Sequence, residues 1–214
     1  MMSSGTRREW TPGKYPQDSV AAQRLREWLA GEGGDLNLIE LDLIGADLSG
    51  GEYSNAWFTE AALTGVNFAE AEFYRSNLQD ADLTRANLTR VSLVRVDLDW
   101  ALLRDATLDG ANVVTTSLFE VDAAGSRWRG AQFANSPFLD VNLCGADLTG
   151  AVFDENALKA RVDDSTVFRD ITGSIFGPME AVQDDVVHTL AGNELESWLR
   201  ARGADVRVLD PKGP

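Results

Sequence analysis

Residues 77 to 93 read NLQDADLTRANLTRVSL, and leucine returns in them every fifth residue, at Leu78, Leu83, Leu88 and Leu93. On a continuous helix these leucines stand about 140° apart and spread round the surface. On a continuous strand they alternate between faces, because five is odd. Only a chain that turns a corner every five residues keeps all of them inside. Four corners close a square coil of 20 residues, and stacked coils bury their apolar sides against one another, as in a solenoid.

The period extends far beyond this stretch. Steps of five from Leu38 reach Leu158 without an insertion; of these 25 positions fifteen are Leu, six are Phe, and the rest are Tyr53, Val113, Ala123 and Trp128. Two residues before each lies a second column, which from Ala46 to Ala151 holds twelve Ala, five Val, three Ser, one Thr and one Gly. Large side chains fill the bore, and the small column fits where the backbone turns inward. Every twentieth residue forms an interior ladder: the first is Leu38–Phe58–Leu78–Leu98–Leu118–Phe138–Leu158, and the others start at Leu43, Leu48 and Tyr53. Trp128 takes up space that a leucine would fill at Ala123.

Between the columns sits mostly Asp or Asn, as in ADL at 46–48, 81–83 and 146–148. This A(D/N)LXX pattern is that of the pentapeptide-repeat family, and residues 36 to about 158 resemble its members. The resemblance implies an all-β solenoid, a right-handed quadrilateral β-helix of about six coils and roughly 30 Å length at ~4.8 Å per coil. The expected organisation is a tail and capping helix over 1–35, the β-helix over 36–176 and a helical C-terminal segment over 177–214.

The ends need caps, because an open solenoid exposes strand edges. Residues 18–30 predict an amphipathic helix with Asp18 as N-cap, Gly31 beyond its end, and Val20, Ala21, Leu25, Trp28 and Leu29 on the inner side. The period fails at Asp163, returns at Phe168 and stops. Beyond Pro178 the pattern predicts a helix at 178–191, a second from Asn193 to Arg202, and a strand at Val206–Val208. Leu195, Trp198, Leu199 and Val206 then either cap the last coil or join two copies. In the family's quinolone-resistance members a C-terminal helix joins two monomers, so a homodimer is one expectation.

Composition limits the function. The 214 residues carry 34 Asp and Glu against 19 Lys and Arg, a formal charge of −15. That balance argues against direct nucleic-acid binding, which leaves a basic patch, and favours either a basic partner or simple solubility. No run approaches the ~18 apolar residues of a membrane span, the first ten residues lack a secretory h-region, and the lone Cys144 excludes an internal disulfide; the expected compartment is the cytoplasm. With one histidine, His188, in the C-terminal segment, no metal-ligand spacing and no phosphate loop, no catalytic residue, metal or cofactor is expected.

The outer columns carry the remaining information. One reads Glu40, Glu60, Asp80, Trp100, Glu120, Asp140; another, just past the corner, reads Asp42, Ala62, Asp82, Leu102, Asp122, Asn142. Together they form an acidic edge, interrupted by Trp100 and Leu102 and flanked there by Asp97 and Asp99. Turn hydrogen bonding accounts for Asp42, Asp82 and Asp122, but not for the first column, where stacked like charges oppose folding. In the family's quinolone-resistance members such rods are read as duplex-DNA mimics in the DNA saddle of type II topoisomerases. The resemblance implies the same here, with DNA gyrase or topoisomerase IV as partner; the unbroken register resembles the loopless mycobacterial type. The competing reading is a scaffold or immunity-type module with an unrelated partner. It uses a second face, where Arg75 and Arg95 stack beside an apolar ladder of Tyr74, Val94 and Val114, near Arg85, Arg90 and Arg104.

Overall fold

The computed structural model describes residues 10–32, 34–184 and 186–209; residues 1–9 of the expected N-terminal tail and 210–214 of the C-terminal segment lie outside them. From Leu38 the chain winds as a parallel β-solenoid with a 20-residue coil. Asn37 bridges Trp57, Asp42 bridges Ala62, Asp47 bridges Asn67 and Glu52 bridges Glu72, one bridge for each of four faces, and the spacing repeats up the rod. Residues 38–157 make six such coils. Most corners close with a backbone turn, as where the Ala81 N–H donates to the Leu78 carbonyl at 3.1 Å. All 25 positions of the five-residue ladder are buried, and so is the small column behind them from Ala46 to Ala151.

The four faces, numbered from the ladders that begin at Leu38, Leu43, Leu48 and Tyr53, are not equivalent. On the fourth, three-residue strands form and pair in parallel: β1 Glu72–Tyr74, β2 Ser92–Val94 and β3 Asn112–Val114. On the first face lies β4 Leu118–Phe119; β5 Gln132–Ala134 returns to the fourth face, and β6 Phe138–Asn142 to the first. At the corner between the fourth and first faces a polar seam replaces part of the apolar small column. Thr116 Oγ donates to the Leu93 carbonyl at 2.9 Å, Ser136 Oγ to Val113 at 3.2 Å and Asn156 Nδ2 to Phe133 at 2.8 Å. These bonds satisfy carbonyls of the preceding coil, so the buried polar groups stabilise the corner rather than weaken it.

Both ends are plugged with aromatics. Tyr53 meets Phe58, Phe68 and Phe73 inside the bore and Trp10 and Trp28 outside it, at ring separations from 5.1 to 6.0 Å. Helix α1, Ser19–Leu29, lies over this end, with the Asp18 carboxylate accepting the Ala21 N–H at 2.8 Å as its N-cap. Ala21 and Leu25 face inward, whereas Val20 stays half exposed, so the buried stripe is narrower than expected. At the C-terminal end Phe168 meets Trp198 at 5.6 Å; deeper in the bore Trp128 packs on Phe133 and Phe138 and donates Nε1–H to Ser126 Oγ at 2.6 Å, with the small Ala123 buried nearby.

The C-terminal segment departs from the expected two helices. β7, Val152–Asp163, runs from the fourth face across the first to the second and slips by one residue against β6: Leu139 pairs Lys159, but Val141 pairs Ala160. Asp163 then repairs the ladder with its side chain, which accepts the Gly145 N–H at 3.0 Å. β8, Thr172–Phe176, continues the fourth face. The predicted helix at 178–191 is instead a hairpin, β9 Met179–Gln183 with β10 Val186–Leu190. β9 pairs in parallel with β7, so ladder hydrogen bonds to the coil below override the local pattern, and Met179 and Ala181 alternate inward as a strand requires. Helix α2, Gly192–Arg200, and β11, Asp205–Leu209, which pairs β8, complete the cap.

Candidate interaction face

The position two residues after each ladder residue decides what the rod displays. From Glu40 to Glu155 every one of these corner residues has a positive φ, between 50° and 71°. L-residues pay about 1–2 kcal/mol in this left-handed region and glycine does not. Glycine fills eight of the corners, at 45, 50, 65, 110, 125, 130, 145 and 150, but none of those following the first face. There the column is Glu40, Glu60, Asp80, Trp100, Glu120 and Asp140, all exposed. Each therefore adopts a strained backbone and points its side chain to solvent.

The acidic edge divides into groups with different surroundings. Asp42, Asp82 and Asp122 accept N–H groups two residues on, from Ile44 at 2.8 Å, Thr84 at 3.0 Å and Ala124 at 3.2 Å, and so hold turns. Burial raises the Asp82 pKa, but the bonds from Thr84 and Thr64 and the charge of Arg104 outweigh it and hold the carboxyl below its ordinary value. Arg104 binds Asp122 at 2.5 Å, and Lys159 binds Asp140 at 2.6 Å. Glu120 accepts the Trp100 indole N–H at 3.2 Å. Glu40, Glu60 and Asp80, in contrast, make no side-chain hydrogen bond or ion pair among the described residues. Asp97 accepts the Asp99 N–H at 3.0 Å, yet burial, with the charges of Asp99 and Asp80, pushes its carboxyl above the ordinary value. Asp99 accepts the Phe119 N–H at 2.9 Å.

Trp100 and Leu102 do more than interrupt this edge. Trp100 meets Phe119 edge-on at 5.5 Å, and with Leu139 on the next coil these residues form one apolar patch. Trp100 is 41% exposed, Leu102 37% and Leu139 37%. Of the eleven exposed large apolar residues among the described residues, six lie on the first face or on the second face that adjoins its acidic corner: Ile39, Ile44, Trp57, Trp100, Leu102 and Leu139. The period of five hides this grouping, which emerges only when residues 20 apart are stacked.

The other edge of the same face is basic. Arg75 and Arg95 occupy the corner between the fourth and first faces, at φ 55° and 57°. The Arg75 guanidinium lies 5.2 Å from the Tyr74 ring centre, and Tyr74, Val94 and Val114 stand in register across β1, β2 and β3. Arg90 is tied to Glu70. Arg75, Arg85 and Arg95 make no ion pair among the described residues. The first face thus runs from an arginine edge to a carboxylate edge.

The C-terminal residues are occupied by their own chain. Leu195, Leu199 and Val206 are buried, and Trp198 lies between Phe168, at 5.6 Å, and the Arg202 guanidinium, at 3.6 Å. His188 stands exposed on β10. Among the described residues no group of three or more His, Cys, Asp or Glu side chains is placed to hold a metal ion, and no helix is long and apolar enough to cross a membrane. Where β6 and β7 slip, Asp140, Asn142, Cys144, Lys159, Arg161 and Glu180 line an open depression. Burial and the charges of Asp163 and Asp122 push the Cys144 thiol up despite Arg161, which makes it a poor nucleophile.

The pentapeptide-repeat family model matches residues 54–90, 81–118 and 116–154. No curated protein sequence matches the chain. Among solved structures, HetL, a pentapeptide repeat protein involved in heterocyst differentiation regulation from the cyanobacterium Nostoc sp. strain PCC 7120, gives a TM-score of 0.52 at 21% identity, over 75% of this chain and 87% of its own. Rfr23 from the cyanobacterium Cyanothece 51142 is 26% identical over 59% of this chain and 90% of its own, with a TM-score of 0.34. Full-length QnrB1, a plasmid-mediated fluoroquinolone resistance protein, is 15% identical over 81% of this chain and 92% of its own, with a TM-score of 0.35. The five-residue period, the four-sided coil and the family-model match identify residues 54–154 as pentapeptide repeats.

Proposed function

We propose that the protein is a non-catalytic protein-binding rod whose working surface is the first face and its acidic corner. One observation carries this reading. Among the described residues the unpaired carboxylates Glu40, Glu60 and Asp80 stand with Trp100 at corner positions where folding favours glycine, and the other exposed large apolar residues of the group lie on the two faces that meet at this corner. An apolar centre with a charged rim is how protein-binding surfaces are built, and tryptophan is a preferred anchor in them. The rim selects a basic partner.

The finer reading is DNA mimicry on a type II topoisomerase, with DNA gyrase the partner to test first. Gyrase supercoiling is measured with and without a fluoroquinolone, titrating wild type against Glu60→Lys/Asp80→Lys/Glu120→Lys. Inhibition or drug rescue by wild type, lost in a folded variant, supports it. No effect of wild type at micromolar concentration sinks it and leaves the protein-binding reading in place. A second reading rests on the unpaired Arg75 and Arg95 beside Tyr74. Binding through Tyr74, Val94 and Val114 survives salt and fails on Val94→Asp, whereas binding through the carboxylates weakens steeply above ~0.1 M salt.

A further inference from the structure

The order of side chains up the acidic corner carries information about the shape of the partner. Coil by coil the corner presents Glu40, Glu60, Asp80, Trp100 and Glu120, four carboxylates with an indole at the fourth level. Coils stack at ~4.8 Å, so these five levels extend over ~19 Å. An α-helix laid along the rod advances 5.4 Å per turn, so one side chain per turn meets one coil, and over four steps the drift is only about 2–3 Å. Lysine and arginine side chains are flexible enough to absorb that. An extended strand presents same-face side chains every ~6.7 Å and falls more than one coil out of step over the same length. A surface that supplies only positive charge would leave the Trp100, Leu102 and Leu139 patch uncovered.

Resting on the protein-binding reading above, we propose that this edge receives a cationic amphipathic α-helix of a partner protein. Its facing stripe carries Lys or Arg on three successive turns, a large apolar residue on the turn that meets Trp100, and a further Lys or Arg opposite Glu120. In sequence that stripe reads as positions i, i+4, i+7, i+11 and i+14, with the apolar residue at i+11. Asp140 requires no cation from the partner, because Lys159 already neutralises it. Leu102, round the corner, and Phe119, packed edge-on against Trp100 on the first face, flank the apolar turn.

The test uses the full chain and three synthetic peptides of identical composition and about 18 residues. One carries the stripe on a helix-forming background, one scatters the same lysines and leucine round the helix, and one alternates them as a strand would. Binding is read by calorimetry at low salt and bound helicity by circular dichroism. The expected result is that the striped peptide binds about tenfold or more tighter than either isomer, gains helicity when bound, and loses at least that factor on Trp100→Gly. Trp100→Gly relieves a left-handed backbone position and should leave the fold intact. Leu102→Asp gives an independent second variant. Equal binding of all three peptides, still sensitive to Trp100→Gly, overturns the helix and spares the binding face. Selective binding indifferent to Trp100→Gly, Leu102→Asp and Glu60→Lys places the site elsewhere, and no binding of any peptide removes the cationic partner; either result overturns the proposal.

Discussion

Two rows of carboxylates climb the same edge of the rod, two residues apart in each coil, and only one of them holds the backbone turns. In the turn row Asp42, Asp82 and Asp122 accept backbone N–H groups from their own turns. In the corner row the side chains of Glu40, Glu60 and Asp80 make no hydrogen bond or ion pair among the described residues, in a backbone conformation that glycine adopts more readily. The net charge of −15 counts both rows alike. What separates them is what each carboxylate touches, so mutation should separate stability from binding along this one edge.

The largest effect is expected at the turn carboxylate with most to lose. Asp163 accepts the N–H groups of Gly145, Ser165 and Thr166 at 3.0–3.1 Å and the hydroxyls of Ser165 and Thr166 at 2.7 and 3.0 Å. It does so where β7 slips and the ladder needs repair. Asp163→Ala leaves the Gly145 and Ser165 N–H groups without their acceptor, a cost of about 2–3 kcal/mol, or a Tm lower by roughly 5–10 °C for a chain of this size. Thermal unfolding checks it; a Tm within a degree or two of wild type would mean the slip is held by strand pairing alone. Binding of a basic partner to the edge should be unchanged.

The opposite behaviour is expected in the corner row. Glu60→Gly and Asp80→Gly exchange a strained residue for a relaxed one, offset by the greater freedom of glycine in the unfolded chain. The net gain is about 0.5–1 kcal/mol at each site, read as a small rise in Tm, while affinity for a basic partner falls. If either variant lowers Tm instead, the corner carboxylates contribute to folding after all and the contrast between the rows collapses.

This contrast was only half legible in the sequence. The period of five placed every ladder residue inside, because it is a local regularity that no tertiary contact needs to supply. The corner strain was present as a composition signal, Gly, Asn, Arg and acidic residues two positions after each leucine, but the left-handed φ that explains it comes from the coil closing. The ion pairs Arg104–Asp122 and Lys159–Asp140 span 18 and 19 residues and follow from the coil length, as does the meeting of Trp100 with Phe119. At the C-terminus, residues 178–191 read as a helix because β9 is a strand only through its pairing with β7. Leu195, Trp198 and Leu199 were recognisable as an apolar stripe, and it took the placement of Phe168 and β8 to show what they cover.

The smallest effects concern pH, and here two carboxylates in equivalent turn positions should differ in sign. Burial works against ionisation of Asp147, but bonds from Thr149 and Arg129 outweigh it and hold the carboxyl below its ordinary value. Its contribution is present above the unfolded value, near 3.9, and is lost as pH falls through the lower folded value. Asp97 is shifted the other way, by burial first and then by Asp99 and Asp80. Its protonated form is favoured by the fold, so its contribution is present at pH below the unfolded value and is lost as pH rises through the folded one. Asp97→Asn retains the oxygen that accepts the Asp99 N–H and removes the charge. It should raise stability at neutral pH by about a few tenths of a kcal/mol after solvent screening, an advantage that disappears near pH 3. Asp147→Asn should lower stability at neutral pH and converge with wild type in acid. Thermal scans of the two variants from pH 3 to 7 decide this. Parallel curves would mean that bonding and burial, which distinguish Asp147 from Asp97 in the structure, do not govern how these two turn carboxylates titrate.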